Sequence, residues 1–162
     1  MKLIKLMTLL MVGLLYVPVL SAEENELETR VKGWVNAYNT NDLETMTEFY
    51  EDSDKVDILV SFGIWHKGTE AYKKSIKLDL ADVEFYDSKA ENLTVRDFGE
   101  FGVAGFIHKF KFKVMQSGKH IRVHIRTTMS LKKIDGVWKI IQEHSSPIYD
   151  IERHKEIPAP KE

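Results

Sequence analysis

The sequence predicts an α+β fold in which about three helices are followed by an antiparallel meander of strands. Apolar residues recur at helical spacing from Leu27 to about Leu80, and after Asp82 the pattern changes to alternation at period two. Two turn signals, Ser117-Gly118 and Asp135-Gly136, then divide the alternating half into hairpins. A length of 162 residues with 43% hydrophobic content suits one packed domain and argues against disordered or fibrous classes.

The chain opens with Lys2 and Lys5, runs apolar from Leu6 to Leu20, and ends that run in Ser21 and Ala22. This is the order of a cleaved signal peptide, residues 1–22, so a periplasmic or secreted location is expected. The run is about fifteen residues, contains Pro18, and is shorter than the roughly twenty needed to span a bilayer, so no stable membrane anchor is expected. With 0 cysteines there are no disulfides and no thiol to acylate.

Charge is divided along the chain. Glu23 to Asp57 carries 11 acids against Arg30, Lys32 and Lys55, whereas Ala104 to Ile140 carries 9 bases against Asp135 alone. The helical half is therefore acidic and the strand-rich half basic.

Leu27, Val31, Trp34, Val35 and Tyr38 form one apolar stripe on a first helix. Asn41 with Glu44 offers a capping box for a second helix that carries Leu43, Met46, Phe49 and Tyr50. Val56 to Phe62 reads as a strand, Gly63 turns it, and Ile64 to Lys67 is a short extended piece. Thr69 can cap a third helix through about Leu80. Strands are expected over Val83 to Phe98, Val103 to Gln116, Lys119 to Ile134 and Val137 to Ser146. The domain is bounded at 23–150, and 151–162, with Pro158, Ala159 and Pro160, reads as a flexible tail.

The tight turns predict a register. Gln116 opposite Lys119 and Ile134 opposite Val137 align Phe112 with Val123, Phe110 with Ile125, and Phe106 with Met129 and Gln142 on a core face. The other face pairs Lys113 with Arg122, Lys111 with His124 and Lys109 with Arg126. The same counting places His108, Thr127 and His144 in one row on the apolar face.

Trp34 and Tyr38 followed by Asn41, Asp42 and Leu43, then Phe49 to Asp52, Trp65 to Gly68, and Trp138 to Pro147 on the last strand resemble the SnoaL-like, nuclear-transport-factor-like superfamily over roughly residues 24–147. The resemblance implies a cone in which a curved antiparallel sheet folds over the helices and leaves a cavity at its open end, and it implies copies paired sheet to sheet. Steroid isomerases of that superfamily carry a carboxylate base on the first strand; the matching position here is Ile58, and Asp57 points to the other face. The fold hosts many chemistries, so the resemblance names no reaction.

His108 and His144, inside an apolar cavity, would have lowered pKa values, so that either could serve as a neutral base, with Tyr38 or Tyr50 donating to developing oxyanion charge. Trp34, Tyr50, Trp65, Phe106, Thr127 and Gln142 are the candidate ligand-binding wall. Against this stands the reading of satisfied core histidines and ordinary aromatic packing. No metal is expected, because the two histidines lie two strand spacings apart, about 9.5 Å, with no third ligand evident. No cofactor is expected either, since the chain has no phosphate loop, nucleophile elbow or histidine-glutamate metal helix.

The basic strand face lacks interleaved stacking aromatics, which argues against nucleic acid and for a solvated or dimer-facing surface. An immunity or stress-response role in an exported system has no direct support in the sequence, and two functions stay open on the residues themselves. One is an exported pocket protein that binds a small, partly apolar ligand, with histidine-based proton transfer available to it. The other is a non-catalytic homodimeric interaction module, which a cavity below about 100 Å³ would favour.

Overall fold

The computed structural model describes residues 25–61, 63–148 and 156–157. The expected signal peptide and most of the expected tail lie outside these residues. Within them, α1 (Glu26–Ala37) leads through a 3₁₀ turn (Tyr38–Thr40) to α2 (Leu43–Thr47), then β1 (Asp57–Leu59), β2 (Trp65–Lys67), α3 (Thr69–Asp82), β3 (Val83–Asp97), β4 (Phe101–Val114), β5 (His120–Ile134), β6 (Val137–Pro147) and β7 (Glu156–Ile157). No described helix is long and apolar enough to cross a membrane.

Helix α1 forms where the stripe predicts. Asn25 caps it by accepting the Leu27 amide at 2.9 Å, and Leu27, Val31, Trp34 and Val35 are buried against the sheet. The second cap falls one residue later than expected. Asn41 adopts a left-handed conformation (φ 53°), and Asp42 caps α2 by accepting from the Thr45 amide at 2.8 Å. Asn41 instead ties the helices to β3, exchanging bonds of 2.8 and 2.6 Å with the Phe85 backbone. Thr69 opens α3 without capping it, because its hydroxyl donates back to the Glu51 carbonyl.

The sheet is curved and unclosed, in the order β2-β1-β6-β5-β4-β3, with β7 pairing β5 at His120 and Ile121. All neighbours are antiparallel except β1 and β6, which run parallel. Two irregularities bend β3 where Asp87 (φ 55°) and Asn92 (φ 56°) take the left-handed conformation that short polar side chains tolerate. The bent sheet wraps α1 and α3, and one core of Leu27, Trp34, Met46, Ile58, Ile76, Phe106, Leu131 and Ile140 fills the space between.

The register departs from the counted one at two places. The β4–β5 loop spans four residues, Met115 to Gly118, closed by Val114 N–H to the Lys119 carbonyl and Gly118 N–H to the Val114 carbonyl, both 2.8 Å. A two-residue turn of the common kind would need positive φ at Ser117, and in this hairpin Gly118 alone takes it, at 67°. The pairs therefore move by two: Phe112 faces Ile121, Phe110 faces Val123, Phe106 faces Thr127, Lys111 faces Arg122 and Lys109 faces His124. A shift of two preserves the faces, so the aromatic set stays inside.

The second departure does not preserve them. The Asp135-Gly136 turn pairs Ile134 with Val137 as predicted, but β6 carries one extra residue where the pairing passes from Leu131–Ile140 to Ser130–Gln142. Beyond that bulge the strand is out of phase by one, so every later side chain exchanges faces. His144 pairs with Thr128 and Gln142 with Ser130, both on the outer, exposed face. Glu143 and Ser145 turn inward and are buried. The expected row of His108, Thr127 and His144 is replaced by two rows, Phe106–Thr127–Ser145 and Ala104–Met129–Glu143.

Candidate functional site

A pocket of about 240 Å³ opens between α3, the 3₁₀ turn, the β1–β2 loop and the concave face of β3 to β6. Its walls are Tyr38, Tyr72, Ile76, Phe85, Phe110, Phe112, Val123 and Ile125; Glu143 and Ser145 also line it, and Ser61, Ile64, Ser75 and Asp79 complete the ring. The periodicities of β4 and β5 point Phe110, Phe112, Val123 and Ile125 inward, while Tyr72 and Ile76 share the buried face of α3.

The polar part is one hydrogen-bond chain. Trp34 Nε1 donates to the Tyr50 hydroxyl at 3.0 Å, and Tyr50 donates to Glu143 Oε2 at 2.5 Å. Ser145 Oγ donates to Glu143 Oε1 at 2.9 Å and lies 3.1 Å from Thr127 Oγ1. Tyr38 and Tyr72 hydroxyls lie 3.3 Å apart.

Glu143 is 2% exposed. Burial raises its carboxyl above the usual range, and the bonds from Tyr50 and Ser145 offset only part of that. The same burial, reinforced by the Glu143 charge, holds Tyr50 and Tyr72 well up in pKa; at Tyr38, Tyr72 and Glu143 add to it. All three phenols therefore remain protonated donors. Asp79 at the mouth is also raised, chiefly by partial burial, with His66 pulling it back and Asp82 pushing it up.

His108 is 0% exposed but does not line this pocket. It is packed among the rings of Phe110, Tyr38, Trp34 and Phe106 at centroid distances of 4.7, 4.9, 5.2 and 6.1 Å. Ser88 Oγ donates to the Val35 carbonyl at 2.6 Å, so its contact of 2.8 Å with His108 Nε2 is one in which the imidazole donates. That assigns the proton to Nε2 and leaves Nδ1 a bare lone pair, for which no described group supplies a partner. Desolvation lowers the His108 pKa to about 3.

The other expected site residues are scattered. Trp34, Tyr50 and Phe106 are buried core behind the pocket, with Trp34 and Tyr50 reaching Glu143 through hydrogen bonds. Thr127 is buried against Ser145. Trp65 is 56% exposed, its Nε1 bonded to Asp57 at 2.9 Å and its ring covered by Lys67. Gln142 and His144 border an outer-face groove of about 580 Å³ with Thr94, Val103, Thr128 and Ser130. Among the described residues no cluster of His, Asp or Glu has metal-binding geometry.

The profile described as a SnoaL-like domain matches residues 27–150. The chain belongs to the SnoaL-like family. Solved structures carry the same fold. An NTF2-like protein of unknown function from Pseudomonas putida is 20% identical with TM-score 0.62, covering 85% of this chain and 94% of that one. An NTF2-like superfamily protein from Salmonella enterica reaches TM-score 0.68 at 14% identity, over 77% of this chain and 90% of that one. A ketosteroid isomerase-like protein from Erwinia carotovora reaches 0.65 at 12% identity, over 77% and 95%. Identities this low show the fold alone. No curated protein matches significantly.

For a SnoaL-like domain, the residues that sequence reasoning passed over are Tyr72, Asp79, Glu143 and Ser145. Tyr72 was legible as the residue between Thr69 and Ile76 on one α3 face. Glu143 and Ser145 were hidden by the β6 bulge, whose single sequence trace is the adjacent apolar pair Ile140 and Ile141, which breaks strict alternation.

Proposed function

We propose that this SnoaL-like protein is an exported pocket protein that binds a small, partly apolar ligand, and that Glu143 rather than a histidine exchanges a proton with it. The observation behind this reading is a fully buried carboxyl, raised in pKa, lining an apolar pocket that also presents phenol donors. A carboxyl shifted toward neutrality can give and take a proton under mild conditions, and phenols held protonated can stabilise charge developing on a ligand oxygen. Ile58, which matches the isomerase base position, is the β1 partner of Glu143 in the sheet, so a carboxyl is supplied one strand away. The pocket is smaller than a drug-sized site and larger than a packing defect, which suits a compact ligand.

Glu143→Gln keeps the shape and one acceptor oxygen, exchanges the other for an amide donor, and removes the titrating group. Any turnover found with a ligand retained by the protein from its host is expected to fall by about 10²-fold or more, as for loss of a general base. Native mass spectrometry of the purified protein identifies that ligand, and unchanged turnover in the variant removes Glu143 from the chemistry.

A homodimer through the outer sheet face is proposed alongside it. The outer-face groove is bordered by Val103, 42% exposed, and Phe101, Trp65 and Ile64 are other large apolar residues left exposed by the fold. Val103→Glu places a charge in that groove and is expected to convert a dimer to a monomer in analytical ultracentrifugation. A wild-type protein that sediments as a monomer would end this part of the reading.

A further inference from the structure

Among the described residues, every charged group lining the pocket has the same sign: Glu143 and Asp79 are acidic, and no described lysine, arginine or histidine lines the cavity. Tyr38 and Tyr72 lie within the fields of both carboxyls. This contrasts with the outer face, where Lys109, Lys111 and Arg122 border a separate cleft.

Resting on the pocket reading above, we propose that the ligand is an organic amine whose ammonium sits on Glu143 and whose apolar body lies among the aromatic walls. A buried carboxylate accepts up to four hydrogen bonds and donates none, and Tyr50 and Ser145 supply two, so the lone pairs left over call for a donor. An ammonium offers donors only. Aromatic rings at Tyr38, Tyr72 and Phe110 present faces or edges to the same space, and a cation desolvated beside such faces gains a further attraction. Asp79 at the mouth draws cations in and turns carboxylates and phosphates away. A bare divalent cation is a poor occupant, because hard cations take six or more oxygen ligands, the walls here are mostly apolar, and among the described residues no carboxylate cluster converges on one point.

Binding an amine also resolves the cost of the buried acid. Alone, the Glu143 carboxyl is pushed toward its neutral form by burial, facing Tyr50 and Ser145 through hydrogen bonds, with Tyr38 and Tyr72 close by and Asp79 beyond them. With an ammonium beside it the ionised form is favoured, so ligand binding lowers the proton affinity of the Glu143 carboxyl.

Three probes of nearly one shape separate charge from fit: phenethylamine, phenethyl alcohol and hydrocinnamate, titrated calorimetrically into the intact purified protein near neutral pH. The amine is expected to bind about tenfold or more tightly than the alcohol, with hydrocinnamate not binding at all. Repeating the amine titration at mildly acidic pH, close to the ordinary carboxyl range, in buffers of different ionisation heat is expected to show proton release that is lost in Glu143→Gln. Asp79→Asn, at the pocket mouth, is expected to weaken the amine about threefold and leave the alcohol unchanged. If Glu143→Gln does not fold, Asp79→Asn decides alone, and an unchanged amine affinity overturns the proposal. Alcohol binding as tightly as amine, or hydrocinnamate binding better, overturns the amine assignment while leaving the pocket reading standing. Failure of all three probes overturns both.

Discussion

Replacing Trp34 with alanine is expected to cost about 3–5 kcal/mol, the range for deleting a large aromatic from a packed core. The indole is 1% exposed and meets Tyr38, His108 and Phe106 at 5.0, 5.2 and 6.0 Å. It joins α1 to the sheet, and its Nε1 supplies the bond of 3.0 Å that orients the Tyr50 hydroxyl. Domains of this kind are stable by roughly 5–15 kcal/mol, so the variant should lose a large share of its stability. Trp34→Phe keeps most of the packing and loses the donor, at about 1 kcal/mol. Urea unfolding read by circular dichroism separates the two. A loss below about 1 kcal/mol for Trp34→Ala would mean that Trp34 is not the wedge its contacts describe.

The second large effect is a dependence on acid. His108 titrates near 6.5 when the chain is unfolded and near 3 in the fold, because protonating Nδ1 would place a charge among four rings with no acceptor. A group whose pKa is depressed on folding leaves stability intact above its unfolded value and removes it as the pH falls toward the folded value. At about pH 4.5 two units of that window have been crossed, corresponding to about 3 kcal/mol. Glu143 works in the opposite sense. Its folded pKa is raised, so its contribution is present at low pH and is lost as the pH rises above the ordinary carboxyl value. Measuring unfolding free energy at neutral pH and at about pH 4.5 for wild type and His108→Phe isolates the imidazole, since the carboxylates are common to both. Equal pH dependence in the two proteins would show that His108 is not the buried neutral base the structure describes.

The fold was largely readable from periodicity because burial enforces it. Leu27, Val31, Trp34 and Val35 can share a face only on a helix, and Phe106, His108, Phe110 and Phe112 only on a strand. The β4–β5 turn was misread, yet the error was an even number of residues, so the buried set survived it. On β6 the error was one residue, and it removed His144 and Gln142 from the interior. Hydrophobicity could not arbitrate there. Gln142 with His144 and Glu143 with Ser145 are both polar pairs, and neither looks like a core. What selects between them lies far away in the chain: Tyr50, 93 residues before Glu143, bonds its carboxyl, and β1 pairs with the strand from the other side. His108 was legible as buried because it alternates with three phenylalanines, but its exclusion from the cavity depends on Ser88 and on the ring packing around it.

The parallel ladder of β1 on β6 acquires weight from this. Asp57, Ile58 and Leu59 lie opposite Gln142, Glu143 and His144, immediately past the extra residue. That short clasp anchors the strand after its phase has changed, and it opposes migration of the bulge toward Pro147. Were it to slide, an amide and an imidazole would rotate in and the acid would rotate out, with no substitution anywhere. Three residues of β1 thus act as the latch that keeps Glu143, and not the amide or imidazole on either side of it, turned into the cavity.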